Sequence, residues 1–320
     1  MRARRSRHAP PRLLLSFVLG MVLGAGLATS LVLALRDHPV RPRPAAPSAA
    51  HPPATRGAPG GVPAPAPRQA SPQPAQEPPR QNPELSRGPA IVPGPSPARS
   101  GRPRVAIIFD DAGYGIRGAR EVEAIGRPVT ISILPHLPYS TLIAEEAPAR
   151  GIQVILHLPL EPDDETIRLG EGGVRVAMSD QEIRQTIAAD LTTVPTAVGA
   201  NNHMGSLGTS DPRVMRAVME EMKARHLFFV DSVTSPHSVA AQIARETGVP
   251  TAARAVFLDN RDDEEYVRGQ FRVLIALAQA RGQAIAIGHV GRVTAGVLVS
   301  LLPEFDEAGI QLVRASDLVR

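Results

Sequence analysis

The chain has no cysteine, no tryptophan and only three tyrosines in 320 residues. Without cysteine there is no disulfide, no thiolate metal site and no cysteine nucleophile. Any metal must therefore be held by imidazole and carboxylate groups. The shortage of aromatics argues against a broad sugar-stacking cleft, although Tyr114 and Tyr139 remain as platforms. Positive charge is scarce where folding is expected. The formal net charge is +4 and the pI about 10.2, but residues 1–103 carry a balance of +11 and residues 104–320 one of −7. An acidic domain lacks the basic surface that phosphate backbones require, so no nucleic-acid partner is expected. No internal repeat is visible.

Three segments follow from composition. Leu13–Leu35 is a 23-residue run without charge, preceded by Arg2, Arg4, Arg5, Arg7 and Arg12. Its length suits a helix crossing a bilayer of roughly 30 Å, and the arginines keep the N-terminus in the cytoplasm. Residues 1–36 are thus expected to be a basic cytoplasmic start and a single-pass anchor in the inner membrane. A cleaved signal peptide is the rival reading. Residues 37–103 hold twenty of the 33 prolines and read as a disordered spacer, because such a segment buries too little apolar surface to fold. At the rise of polyproline II it reaches at most roughly 200 Å. Residues 104–320 then form the folded, extracytoplasmic part.

In that part, apolar runs alternate with helical patterns. The runs are Val105–Phe109, Val129–Leu134, Ile152–Leu158, Ala197–Ala200, Leu227–Val230, Ala252–Leu258, Ala284–Ile287 and Ile310–Val313. Near-continuous apolar strands fit a parallel sheet buried on both faces. Ser179-x-x-Glu182 predicts a capping box, Asp211-Pro212 an N-cap followed by proline at N1, and Tyr266–Ala280 a helix stopped by Gly282. Seven or eight such units in 217 residues predict a (β/α)7–8 barrel, in which chemistry sits at the carboxyl ends of the strands. Gly-rich Asp163–Ala177 is expected to be a mobile loop over that face.

The polar residues obey the strand-end rule. Asp110-Asp111 follow the first run, and His157 ends the third with Glu161 close behind. Asn201-Asn202-His203 follow the fourth run, Asp231-Ser232 the fifth, Asp259-Asn260 the sixth and His289 the seventh. Adjacent carboxylates resist ionising together unless a cation or proton lies between them. Asp111 and His157 are borderline-to-hard ligands that Zn²⁺ accepts. Asp110 is placed to take a proton and His289 to return one. Asp231 is a further acid–base candidate, whereas Asp259-Asn260 reads more simply as a turn or helix cap.

FDDAGY, LHLPLEP, VGANNHMGS, FVDS, VFLDN and AIAIGH together closely resemble the divergent polysaccharide deacetylase family of bacterial envelopes, across essentially all of residues 104–320. The resemblance implies a distorted (β/α)7–8 barrel of the polysaccharide deacetylase type and metal-dependent removal of acetyl groups from a cell-envelope glycan. It assigns the base to Asp110, metal ligands to Asp111 and His157, and the acid to His289. Glu161 stands where a second metal histidine is expected. Either Glu161 or His203 is then the third ligand, and His203 in that role frees Glu161 for proton transfer or substrate contact. The arginine of the family's third motif is replaced by Asn201-Asn202-His203. The expected cofactor is a divalent metal, Zn²⁺ first, and the expected partners are the glycan and the cytoplasmic membrane. A non-catalytic glycan-binding or scaffold protein on the same barrel is the alternative.

Overall fold

A computed structural model describes residues 101–320. The expected membrane anchor and proline-rich spacer lie outside these residues. Among the described residues, no helix is long and apolar enough to cross a membrane.

Nine strands and seven α-helices alternate along the described chain. The strands are β1 Arg104–Ala112, β2 Thr130–Ile133, β3 Gln153–Leu160, β4 Gly199–Met204, β5 Phe228–Asp231, β6 Thr251–Ala253, β7 Val256–Phe257, β8 Gln283–His289 and β9 Gln311–Val313. The helices are α1 Ile116–Glu123, α2 Ser140–Glu146, α3 Asp180–Thr193, α4 Pro212–Ala224, α5 Ala240–Thr247, α6 Glu264–Arg281 and α7 Thr294–Glu307. Local chemistry sets several boundaries. Ser179 and Glu182 close a capping box on α3, and Asp211 caps α4 with Pro212 at N1. Asp263 caps α6, which stops at Gly282 in the left-handed conformation that glycine adopts without strain.

All strand pairs are parallel, in the order β6-β5-β4-β3-β2-β1-β8-β7. The fold is a curled, parallel α/β half-barrel. Two of the eight expected units are corrected. The run Ala252–Leu258 is not one stave: β6 pairs with β5, then the chain crosses at Arg254-Ala255 and β7 pairs with β8. The run Ile310–Val313 forms β9, which lies beside only the first residues of β1, Arg104–Ala106.

Strand alternation sorts the side chains into two cores. Val105, Ile107 and Phe109 pack outward with the helices, among them Ile187, Met215, Phe271 and Phe305. Ala106 and Ile108 face inward with Ile155, Val230, Ile285 and Ile287, and Val313, Ala315 and Leu318 join them. Two residues further along each strand, the inward position becomes polar: Asp110, His157, Asn201, Ser232 and His289. The apolar layer is thus the floor of the polar one.

The Gly-rich segment expected to be mobile is anchored. Val174 bridges to Leu160, and Leu169 and Val174 are buried.

Candidate active site

Simple alternation would send Asp110 and Asp111 to opposite faces. The register between β1 and β2 instead shifts between Phe109 and Ala112, and Asp111 adopts φ of 63°. Such a bulge re-aims a side chain. Asp110 keeps the inward direction beside His289, and Asp111 turns to the same cluster. Nε2 of His157 lies 3.5 Å from Asp110 Oδ2 and 3.2 Å from Asp111 Oδ1. Among the described residues, five non-glycine residues have positive φ. Four of them, Asp111, His136, Met204 and Val233, lie at or just beyond strand ends on this face. Backbone strain gathered in this way marks sites where geometry matters more than stability.

β4 carries the polar run inside the strand rather than after it. His157 and Asn201 are direct neighbours in the parallel register. Nδ1 of His203 lies 3.2 Å from Nε2 of His157 and 3.1 Å from Asp111 Oδ1. Asp111 Oδ1 is buried and has no hydrogen-bond donor aimed at it, although these two ring nitrogens converge on it. Asp111, His157 and His203 thus offer ligand atoms that all lie within 4.8 Å of one another. One carboxylate oxygen and two imidazole nitrogens make a donor set suited to a borderline divalent ion such as Zn²⁺, with a position left for substrate. The residues present fit a metal.

The electrostatics agree. Burial pushes Asp111 up, but the close approach of the His157 and His203 rings outweighs this and holds its pKa well below the usual carboxylate range. Burial pulls His157 down, yet the nearby carboxylates of Asp110 and then Asp111 raise it. Burial also raises Asp110, against the pull of His157, His289 and the Asn201 bond.

His289 lies across from this group. Its Nδ1 is 2.8 Å from Asp259 Oδ1, while its backbone N–H and Thr294 Oγ1 donate to Asp259 Oδ2 at 2.7 and 2.6 Å. Its other nitrogen, Nε2, is 3.8 Å from Asp111 Oδ2. Burial pulls the His289 pKa down, but the bond and charge of Asp259, then Asp111 and Asp110, outweigh it and raise it to about 9. Asp259 is therefore the tether of His289, not the turn or helix cap expected. Tyr114 stands close enough to the site for Asp111, after partial burial, to help raise its phenol pKa.

Two sequence candidates are not brought into the cluster. Glu161 directs Oε2 to the backbone N–H of Val176 at 2.6 Å and Oε1 to Arg175 at 3.4 Å, so it pins the long loop after β3. His203, not Glu161, joins Asp111 and His157. Asp231 accepts from Val233 N and Ser238 Oγ, both at 2.8 Å. It braces a turn in which Val233 holds φ of 51° and Arg254 Nη2 donates to the Val233 carbonyl at 2.9 Å. Arg254 carries no motif signal, and burial lowers its pKa to about 10 despite Asp231 and Asp110 nearby. Asn202 faces the other way, donating to the Met204 carbonyl at 2.8 Å and accepting from Ser232 N at 2.8 Å.

Fold and site define a parallel α/β half-barrel with Asp110 and His289 beside a carboxylate–imidazole cluster at the strand ends. The chain belongs to the divergent polysaccharide deacetylase family, whose model matches residues 107–319. A Haemophilus influenzae protein described as uncharacterized is 36% identical over 217 residues, 68% of this chain and 77% of that protein. The uncharacterized protein YibQ of Escherichia coli K12 is 37% identical over 224 residues, 70% of this chain and 69% of its own length. The crystal structure of an uncharacterized Agrobacterium tumefaciens protein shares the fold, with a TM-score of 0.65 and 22% identity over 74% of this chain and 94% of that one. A structure from Enterococcus faecalis, titled a putative cellobiose-phosphate cleavage protein, matches with a TM-score of 0.50 and 13% identity, over 69% of this chain and 100% of that one.

Proposed function

We propose that residues 104–320 form a metal-dependent hydrolase that removes acetyl groups from a cell-envelope polysaccharide. The observation that carries this reading is the placement of two acid–base groups, Asp110 and His289, on either side of the Asp111–His157–His203 set. These last three would hold a divalent ion, Zn²⁺ first. Such an ion supplies Lewis acidity: it polarises a carbonyl oxygen and makes water more acidic.

The remaining work falls to the chain itself. Asp110, buried and aimed at the centre, accepts the proton of the attacking water at Oδ2, the oxygen nearer His157. His289 is held by Asp259 through Nδ1, which leaves Nε2 to deliver a proton to the departing nitrogen or oxygen. Its raised pKa keeps it protonated at neutral pH, as a general acid requires. The family supports a glycan substrate. The uncharged Leu13–Leu35 run and the arginines before it support an anchor in the inner membrane with this domain outside the cytoplasm, tethered by residues 37–103.

The test is acetate release from N- and O-acetylated envelope glycans, with Asp110→Asn beside the wild type. Turnover is expected to fall by about 10²–10⁴-fold while Zn²⁺ binding persists. Full turnover in Asp110→Asn would remove Asp110 as the base. Zn²⁺ binding and glycan binding without any acetate release would favour a binding protein instead.

A further inference from the structure

Asn201 lies between the base and the metal-competent cluster, completely buried on β4. Every polar function of its amide is used. Nδ2 donates to Asp110 Oδ1 at 2.9 Å and Oδ2 at 3.1 Å, and to Ser232 Oγ at 3.2 Å. Oδ1 accepts from Ser132 Oγ at 2.5 Å and faces Nδ1 of His157 at 2.9 Å. Both carboxyl oxygens of Asp110 lie within hydrogen-bond reach of the one amide nitrogen, so the nitrogen end of the amide faces Asp110. The amide oxygen must then face His157, and an oxygen there requires the ring proton to sit on Nδ1. That leaves the lone pair of His157 on Nε2, the atom that faces Asp111 and His203.

We infer that Asn201 is a positioning residue that sets two groups at once: the orientation of the Asp110 carboxylate and the tautomer by which His157 presents Nε2 to a metal. The inference rests on the reading of Asp111, His157 and His203 as ligands. One amide does both jobs because His157 and Asn201 are register neighbours while β1 brings Asp110 to the same layer. An outer-shell bond to a ligating histidine fixes its ring and typically governs metal affinity by about 10–100-fold. Here the same bond network also aims the base, so the sequence difference at the third motif puts a neutral amide between the two roles.

Two substitutions separate them. In Asn201→Asp the new carboxylate still accepts from His157 Nδ1 but cannot donate to Asp110 as an amide does. When ionised it repels Asp110, and when protonated it shares a proton with it. In Asn201→Leu both links are gone. The full chain, ¹⁵N-labelled at histidine, is titrated with Zn²⁺ alone by calorimetry, and the metal-free ring tautomers are read by NMR. We expect Asn201→Asp to hold Zn²⁺ at least as tightly as the wild type and keep the Nδ1–H form of His157, while acetate release falls about a hundredfold or more. Asn201→Leu is expected to lose Zn²⁺ affinity by about 10–100-fold and to mix the His157 tautomers. Unchanged Zn²⁺ affinity and tautomer in Asn201→Leu would overturn the inference. If that variant does not fold, full turnover in Asn201→Asp would overturn it. A wild type that releases no acetate but shows the expected Zn²⁺ and tautomer pattern would sink the deacetylase reading and leave this one standing.

Discussion

At the scale of single residues, burial decides which ionisable groups are available for work. His289 is charged at neutral pH because Asp259 holds it, and the sign of its pH effect follows directly. A general acid must be protonated, so turnover should fall as pH rises through about 9. Asp259→Asn removes the largest influence raising His289, so this alkaline limb should move to lower pH and kcat should drop by about a hundredfold. An unshifted limb in the pH profile would assign the group elsewhere. A second carboxylate–imidazole pair lies outside the site. Asp190 is fully buried on α3, with Oδ1 2.8 Å from Nε2 of His136. Burial and then the charge of Glu171 raise Asp190 to about 8. The folded state therefore binds a proton that the unfolded chain releases above the ordinary carboxylate range near 3.8. Stability contributed by this group is complete at low pH and declines as pH rises toward about 8, by at most about 1.4 kcal/mol per unit. Urea unfolding of Asp190→Asn at pH 5 and pH 8 should show a flatter pH dependence than the wild type.

At the scale of elements, strand ends trade regularity for aim. The bulge near the end of β1 costs an unfavourable backbone at Asp111 but brings two carboxylates to one face. The turn after β5 behaves similarly. Val233 is β-branched at φ of 51°, a region such residues avoid, and it is held by Asp231 and Arg254. Glycine adopts that conformation freely. Val233→Gly is therefore expected to stabilise the domain by about 1 kcal/mol in denaturant melts, the strain released exceeding glycine's greater freedom when unfolded. A loss of stability there would mean that the Val233 side chain contributes more packing than the strain costs.

At the scale of the whole molecule, both apolar clusters among the described residues lie within residues 105–318. A chain beginning at Gly101 is therefore expected to melt within about 2 °C of the full chain and to keep Zn²⁺ binding. Fractionation should leave the full chain with membranes and the shorter one in solution. Equal partitioning of the two would remove Leu13–Leu35 as an anchor.

The amino-acid sequence by itself determined what depends on neighbours along the chain. Near-continuous apolar runs dictated parallel strands, because both faces of each strand need cover. Ser179, Asp211 and Gly282 marked helix ends through bonds and φ preferences reaching only a few residues. The polar residues after each run marked the strand ends where ionisable side chains gather, and the combined motifs indicated the family. Only the tertiary structure decided what depends on register between strands far apart in sequence. It brought His203 to Asp111 and His157 and left Glu161 on its loop, set Asp259 against His289, and split the sixth run between two partners. It also placed Asn201 between Asp110 and His157. Spacing along a chain fixes which way a side chain faces, but separations near 3 Å between strands are set by register, bulge and twist together, and no local pattern carries all three.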